Sequence, residues 1–233
     1  MRFLALLRKE LRESLPWLLL AGLLVLGIGF VRLRPRAPFS AADYWQYTSG
    51  MTPGEPVNVH HLVGPALLEL PGVWLAFIAP ALGLVLGIRH FWVPLFTRTW
   101  SFLLHRSAKR STVLTAKLAA AAIALVVPLG LVWISLHRYA CRPDVFPFPE
   151  PVKVFASGWL CIALGFVVYL GTALSALSTA RWYTTRILGL AFATLAVFFI
   201  VAQWKLTWII TLTILAIAIL LIQTVAAFED REF

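Results

Sequence analysis

Charged residues are scarce in this chain, and their scarcity excludes a soluble fold. Only 13% of its 233 residues are charged, whereas 61% are hydrophobic, and the mean hydropathy is +0.86. A soluble domain of this size lacks the polar residues needed to cover such a composition with a water-facing surface. The apolar runs are continuous and do not alternate, so a β-barrel is also excluded. We predict an all-α integral membrane protein.

Cysteine and clustered histidine are almost absent, which argues against disulfide and metal chemistry. Cys141 falls in a polar loop and Cys161 in an apolar run, so the two thiols lie at different depths and do not pair. His60 and His61 are adjacent, which points their side chains apart, and no spaced partner accompanies them. A zinc site needs more ligands than this, so we predict no metal site.

Ionisable residues are nearly missing from the middles of the apolar runs. Ion-coupled carriers and pumps need titratable groups at membrane depth, and intramembrane enzymes need a nucleophile with its base or a carboxylate cluster. The chain also lacks a phosphate-binding glycine-rich loop with a lysine. We therefore predict that the chain is not an enzyme and holds no cofactor, and that any nucleotide is bound by another chain.

The positive charge that is present lies beside the apolar runs. The net charge is +10, but no basic patch exists away from the membrane flanks, so nucleic acid is not a predicted partner. Contact with anionic membrane lipids is predicted instead. The larger set of cations, in the shorter loops, marks the cytoplasmic side. That set predicts an inner (plasma) membrane protein with both termini in the cytoplasm.

Six transmembrane helices are predicted in a single domain over residues 15–233. The first span is near the short limit, with Pro16 in its first turn, where a missing N–H costs nothing. Two proline-rich loops, 32–70 and 137–154, fall on the outer side. Small residues at Ala119–Ala122 and Gly171–Thr179 favour close helix packing. The predicted spans are 15–31, 71–88, 112–136, 155–178, 187–202 and 208–228.

Residues 1–14 are predicted to form an amphipathic helix that lies in the membrane interface. Its basic and apolar residues separate onto two sides at helical spacing. A basic segment before an apolar run also suits a signal peptide, but Glu10 and Glu13 and the missing cleavage pattern favour the interfacial helix. The residues that define it are Phe3, Leu7, Leu11, Arg8, Lys9 and Arg12.

The segment from Arg89 to Lys117 connects the second and third spans and combines cations with aromatic side chains. It carries no acidic residue. Its aromatic and leucine side chains could fill a groove on a partner while its cations fix the register. The alternative is that the same residues only anchor at lipid headgroups. The predicted partner-docking residues are Arg98, Trp100, Phe102, Leu103, Leu104, Arg106, Lys109 and Arg110.

Two stretches of this segment, Thr99–Arg106 (TWSFLLHR) and Ala108–Leu118 (AKRSTVLTAKL), resemble the permease subunits of type 2 ABC transporters. The N-terminal stretch Leu7–Ser14 (LRKELRES) is similar to the amphipathic connecting helix of that family. The chain departs from the family at Ser107 and Ala108, where Pro-Val or Pro-Ile is common. Residues 203–207 also leave no room for the re-entrant hairpin that many members carry.

The resemblance implies an exporter half. It implies that the 98–110 segment docks on a separate ATPase subunit that binds ATP and Mg²⁺, and that a second permease copy or a paralogue completes the transporter. Two other interpretations stay open at this point. One is a membrane scaffold or assembly subunit without an ATPase partner, and the other is a membrane-embedded enzyme, which the missing titratable groups disfavour.

Overall fold

The computed structural model describes residues 2–32, 69–97, 110–142, 152–178, 187–201 and 206–230. These residues are helical, with no strand among them, as the apolar runs predict. The elements are α1 (Arg2–Arg32), α2 (Glu69–Gly87), a π-helical turn (Ile88–Trp92), α3 (Val93–Phe96), α4 (Arg110–Ala140), α5 (Val152–Leu177), α6 (Leu188–Val201) and α7 (Leu206–Glu229).

Five helices in the described residues are long and apolar enough to cross a membrane. They are Phe3–Val31, Gly72–Phe96, Arg110–Ala140, Val154–Leu177 and Thr207–Glu229. This is the organisation of an all-α, multi-pass membrane protein. The predicted fifth span, 187–202, corresponds to α6, whose 14 residues reach only about 21 Å at 1.5 Å per residue. A hydrocarbon core is about 30 Å thick, so α6 does not meet the length of a full span.

Helix α1 is longer than expected and has no break at the boundary predicted after residue 14. It runs through 31 residues with Pro16 inside it. The first 14 residues are therefore the opening turns of the same helix and not a separate element. Pro16 lies in the interior of α1 and not in its first turn, so the Arg12 carbonyl loses its usual intrahelical N–H donor.

Helix α5 is the centre of the bundle. It packs most extensively against α2 and also contacts α4, α6 and α7. Glycines let the α2 and α5 backbones meet: a Cβ on Gly83 would collide with the Gly165 carbonyl, and a Cβ on Gly165 would come within 2.6 Å of the Ala79 oxygen. In an apolar solvent, close approach of this kind increases van der Waals contact between helices.

The small-residue stretch at the end of α5 packs against α6, as predicted. Thr172, Ser175 and Ala176 are buried, and a Cβ on Gly171 would meet Ala193 and the Gly189 carbonyl. The Ser175 hydroxyl oxygen accepts the Leu190 N–H at 2.8 Å. This bond satisfies one of the free N–H groups that every helix has at its start.

The helix ends form two layers. At one end, the beginnings of α1 and α4 meet the π-helical turn and the later turns of α5, through side chains described in the next subsection. At the other end, Trp133 of α4 donates to the Phe155 carbonyl of α5 at 3.0 Å, and Cys161 lies 3.9 Å from the Gly72 carbonyl. Both cysteines are free.

Candidate functional site

A buried ion pair joins α1 to α4 near the N-terminal end of both helices. Lys117 Nζ lies 2.8 Å from Glu10 Oε1, and the two residues are only 2% and 8% exposed. They are 107 positions apart in the chain. Removing two charges from water costs several kcal/mol per ion in general, and only close geometry with further hydrogen bonds offsets that cost.

Further hydrogen bonds are present on the α1 side. The Ser14 hydroxyl donates to the Glu10 carbonyl at 2.8 Å, within the same helix. Ser14 is 1% exposed, and its oxygen also lies 3.4 Å from His90 Nε2. Glu10 and Ser14, four residues apart, therefore present one polar stripe to the interior of the bundle.

His90 lies at the centre of this group because a wide helical turn places it there. The Val93 N–H bonds to the Ile88 carbonyl, five residues back, and both His90 and Phe91 are buried. Pro94 follows directly; in a regular helix its ring would clash with the carbonyl four residues earlier, and the wider turn accommodates it. Turns of this type are frequent at functional sites.

Tyr169 of α5 closes the network from the opposite side. Its hydroxyl lies 3.1 Å from His90 Nδ1 and 3.2 Å from the Lys117 carbonyl, and the residue is fully buried. The imidazole and phenol rings meet edge to face, with centroids 5.7 Å apart. We refer to Glu10, Ser14, His90, Lys117 and Tyr169 as the buried polar cluster.

The hydrogens of the cluster can be assigned in two ways. A tyrosine hydroxyl carries one hydrogen, and a neutral imidazole carries one on either nitrogen. If Tyr169 donates to the Lys117 carbonyl, His90 Nδ1 carries a hydrogen and donates to the tyrosine oxygen. If Tyr169 donates to Nδ1, the hydrogen of His90 is on Nε2, which faces Ser14 and lies 3.6 Å from Glu10 Oε2. One proton position on His90 therefore affects contacts to α1, α4 and α5 together.

Serine, histidine and glutamate occur together here, but their geometry differs from that of a hydrolytic triad. In a triad, one imidazole nitrogen faces the nucleophile and the other faces the acid. Here Ser14 and Glu10 both approach Nε2, while Nδ1 faces Tyr169. The Ser14 hydroxyl is also directed to a backbone carbonyl. The arrangement is suited to holding helices together and not to activating a nucleophile.

A second, outer group of ion pairs lies beside the cluster. Arg89 is 3.6 Å from Glu13, and Lys9 is 3.9 Å from the same carboxylate, with all three side chains between 31% and 53% exposed. Pairs this exposed contribute about 0–1 kcal/mol each. The Arg89–Glu13 pair nevertheless connects α1 to the π-helical turn at a second point.

Two of the predicted surface cations pair with carboxylates of α1, and one of the two is buried. Arg89 and Lys117 bound the segment expected to face a partner, but Arg89 contacts Glu13 and Lys117 is buried against Glu10. The helices extend to Phe96 and start again at Arg110, so the surface segment is shorter than predicted. Ionisable residues such as Glu10 and Lys117 lie within the candidate spans near their ends, whereas the expectation concerned the middles of the spans.

Most of the predicted docking residues lie outside the described residues. These are Arg98, Trp100, Phe102, Leu103, Leu104, Arg106 and Lys109. Arg110 is exposed at the first position of α4. His60 and His61 also lie outside the described part, and within that part no group of three or more His, Cys, Asp or Glu residues could hold a metal ion.

The residues of the predicted interfacial helix separate by burial as the pattern indicates. Phe3, Leu7 and Leu11 are half-buried, whereas Arg8, Lys9 and Arg12 are exposed. Of the three half-buried side chains, Leu11 packs against the core. Whether this part of α1 lies in the membrane interface stays a prediction.

Sequence reasoning missed the buried polar cluster. Glu10 was visible as an acidic residue within a basic helix, and His90 and Lys117 as polar residues at the edges of apolar runs. The three residues lie at the same end of their predicted helices, and this placement could have indicated that opposite charges meet there.

Comparison of the chain with models of protein families, with curated proteins and with solved structures finds no match.

Proposed function

We propose that this chain is the transmembrane permease subunit of an ATP-driven ABC exporter. The support from sequence is the resemblance of residues 99–118 and Leu7–Ser14 to type 2 ABC permeases. The support from structure is the Glu10–Lys117 ion pair, which ties together the helices that carry those two motifs.

The connection gives a physical route for force. Arg110 begins α4, and Lys117 follows about two turns later on the same continuous helix. A partner that displaces residues 98–110 would move the start of α4 as a rigid rod. Glu10 would carry that displacement to α1, and the hydrogen bond from Tyr169 to the Lys117 carbonyl would carry it to α5.

The burial of the Glu10–Lys117 ion pair makes the contact between α1 and α4 hard to break. Separating a buried ion pair leaves two uncompensated charges, and disrupting one partner typically costs about 3–5 kcal/mol. The helices at this end therefore move as a unit when the segment is pushed. In the proposed transporter, the ATPase would supply the push when it closes on ATP and Mg²⁺.

The proposal fixes an orientation and a set of partners. The end that holds the buried polar cluster would face the cytoplasm. Both termini would lie on that side of the inner membrane, with α6 and the residues that flank it forming the sixth crossing. A second permease copy or a paralogue would pair with this chain, and one ATPase subunit would dock on each. The chain itself would bind no nucleotide.

Disrupting the docking segment tests the proposal. Leu103→Asp combined with Leu104→Asp puts two charges where apolar side chains would fill a groove on the ATPase. We expect loss of co-purification with an ABC ATPase encoded by a neighbouring reading frame, at unchanged abundance of the chain in the membrane fraction.

A matched control changes charge at the other end of the bundle. Arg138 and Arg142 are exposed there, and Arg138→Glu with Arg142→Glu should leave co-purification intact. If the Leu103 and Leu104 variant still retains the ATPase, docking through this segment is wrong. If the unaltered chain retains no ABC ATPase, the permease proposal fails and a scaffold subunit is left.

A further inference from the structure

A groove runs along the outer surface of α1 and α4. Its volume is about 450 Å³, and its lining is apolar throughout. That volume falls within the range of about 300–1,000 Å³ common for small-molecule sites. Large side chains on both walls are 39–66% exposed in the groove: Leu15, Leu19 and Leu23 of α1, and Ile123, Val127 and Leu131 of α4.

The groove has the length and direction of a lipid chain. On α1 it extends from Leu11 to Leu26, about 22 Å at 1.5 Å per residue. One leaflet contributes roughly half of a hydrocarbon core of about 30 Å. An acyl chain that follows α1 away from its N-terminal end therefore fits within the groove.

Two arginines lie in line with the groove at its N-terminal end. Residues three apart on a helix are surface neighbours, so Arg8 adjoins Leu11 and Arg12 adjoins Leu15, both of which line the groove. Arg8 and Arg12 are both exposed. A guanidinium at this position can bind a phosphate through two parallel hydrogen bonds.

Three other cations at this end are paired with carboxylates. Lys9 and Arg89 contact Glu13, and Lys117 contacts Glu10. In the part of the chain that the structure describes, neither Arg8 nor Arg12 forms a salt bridge. The charge available above the groove is therefore positive and unneutralised by these helices.

We propose that the α1–α4 groove is a binding site for one anionic phospholipid. Its acyl chain occupies the apolar groove, and its phosphate binds Arg8 and Arg12. The site lies in the leaflet on the side of the N-terminus. It does not depend on the permease proposal, since neither the docking segment nor an ATPase takes part.

Native mass spectrometry of the purified full chain, titrated with phosphatidylglycerol or phosphatidylcholine, tests the site. We expect a tighter first binding event for phosphatidylglycerol. Arg8→Gln with Arg12→Gln should weaken it by about fivefold per arginine, the effect of one cation near an anionic surface. Arg8→Lys with Arg12→Lys should retain part of the affinity, and Arg138→Gln, at the other end of α4, should retain all of it.

A glycine pair tests the groove itself. Gly22 lines it, and a Cβ there meets only Val132 at 4.0 Å, whereas a Cβ on Gly27 meets nothing within 4 Å. Gly22→Phe should fill the groove and weaken binding of both lipids several-fold, while Gly27→Phe should not. Intrinsic tryptophan fluorescence on heating checks that each variant is folded.

Three results would overturn the site. The first is equal affinity for the two lipids in the unaltered chain. The second is unchanged phosphatidylglycerol binding after both arginine substitutions. The third is a change from dimer to monomer in Gly22→Phe, which would identify the groove as a contact between two copies of the chain.

Discussion

Among single residues, Lys117 and Glu10 have the most demanding environment in the described chain. Each charge is buried, so each is tolerable only because the other lies 2.8 Å away. A pair of this kind specifies how the two helices pack and adds little net stability, because a well-packed apolar pair of similar volume is often equally stable or more so. The free energy of unfolding can be compared between variants that lack one charge of the pair and a variant that lacks both.

Removing one charge of the pair should lower the free energy of unfolding far more than removing both. We expect Lys117→Met to lower the free energy of unfolding by about 3–5 kcal/mol, because Glu10 is then buried without a partner. Adding Glu10→Met to that variant should restore most of the loss. Unfolding by sodium dodecyl sulfate, followed by tryptophan fluorescence, gives the three free energies.

Lys9→Met is the matched control, since Lys9 contacts Glu13 in an exposed pair and its loss should cost about 0–1 kcal/mol. Additive losses in the double variant would contradict a coupled pair. Equal effects of Lys117→Met and Lys9→Met would show that Lys117 is solvated.

The sequence could indicate only part of this cluster. Basic and acidic side chains of α1 fall on predictable faces of the helix, so the exposure of Arg8 and Arg12 follows from helical periodicity. The contact of Glu10 with Lys117 does not, because it joins positions 107 residues apart and depends on how α1 packs on α4. The burial of His90 depends on a π-helical turn, in which an N–H bonds to the carbonyl five residues back. Hydropathy does not indicate where such a turn occurs.

For the helices as elements, packing of α2 on α5 determines how the bundle is held together. The glycines at 83 and 165 let the backbones of α2 and α5 come into contact, so there is no space for a single added methyl group. Flexible side chains could shift aside, but carbonyl groups of regular helices cannot move without breaking their hydrogen bonds.

Gly165→Ala should therefore destabilise the fold. Its Cβ would lie 2.6 Å from the Ala79 oxygen and 2.9 Å from the Ala79 carbonyl carbon, which forces α2 and α5 apart. Overpacking of this kind typically costs about 1–3 kcal/mol, measurable by the same detergent titration.

Gly27→Ala is the paired substitution, because a Cβ there meets nothing within 4 Å. It should be neutral or stabilising by up to about 1 kcal/mol, the difference between glycine and alanine in a helix. A Gly165→Ala variant as stable as Gly27→Ala would disprove the backbone contact between α2 and α5.

The approximate bounds of several helices follow from the apolar runs alone. The runs at 155–178 and 208–228 match α5 and α7 to within a few residues. The extension of α1 back to Arg2 does not follow from hydropathy, since its first turns are stabilised by side chains that pair with other helices. The predicted fifth span, 187–202, stays a prediction, because α6 covers 14 residues and residues 202–205 lie outside the described part of the chain.

In the molecule as a whole, α1 packs against the bundle with one face and borders the α1–α4 groove with another. Glu10 and Ser14 face the bundle and contact Lys117 and His90 there, whereas Arg8 and Arg12 are exposed beside an apolar groove. The protein end that holds the buried polar cluster is thus also the end where we place the phospholipid phosphate and the ATPase. The permease proposal requires that this end faces the cytoplasm, whereas the phospholipid site requires only that the phosphate lies on the side of the N-terminus.

The side of the membrane on which α4 begins is the central test. In a Cys141→Ser background, Arg110→Cys and Arg142→Cys place single exposed thiols at the two ends of α4, while the half-buried Cys161 serves as the unlabelled reference. The measurement is labelling of intact cells with a membrane-impermeant maleimide, before and after permeabilisation. We predict that Cys at position 142 is labelled in intact cells and that Cys at position 110 is labelled only after permeabilisation. Labelling of position 110 in intact cells would place the docking segment outside, where no ATPase could reach it, and would contradict the proposed function.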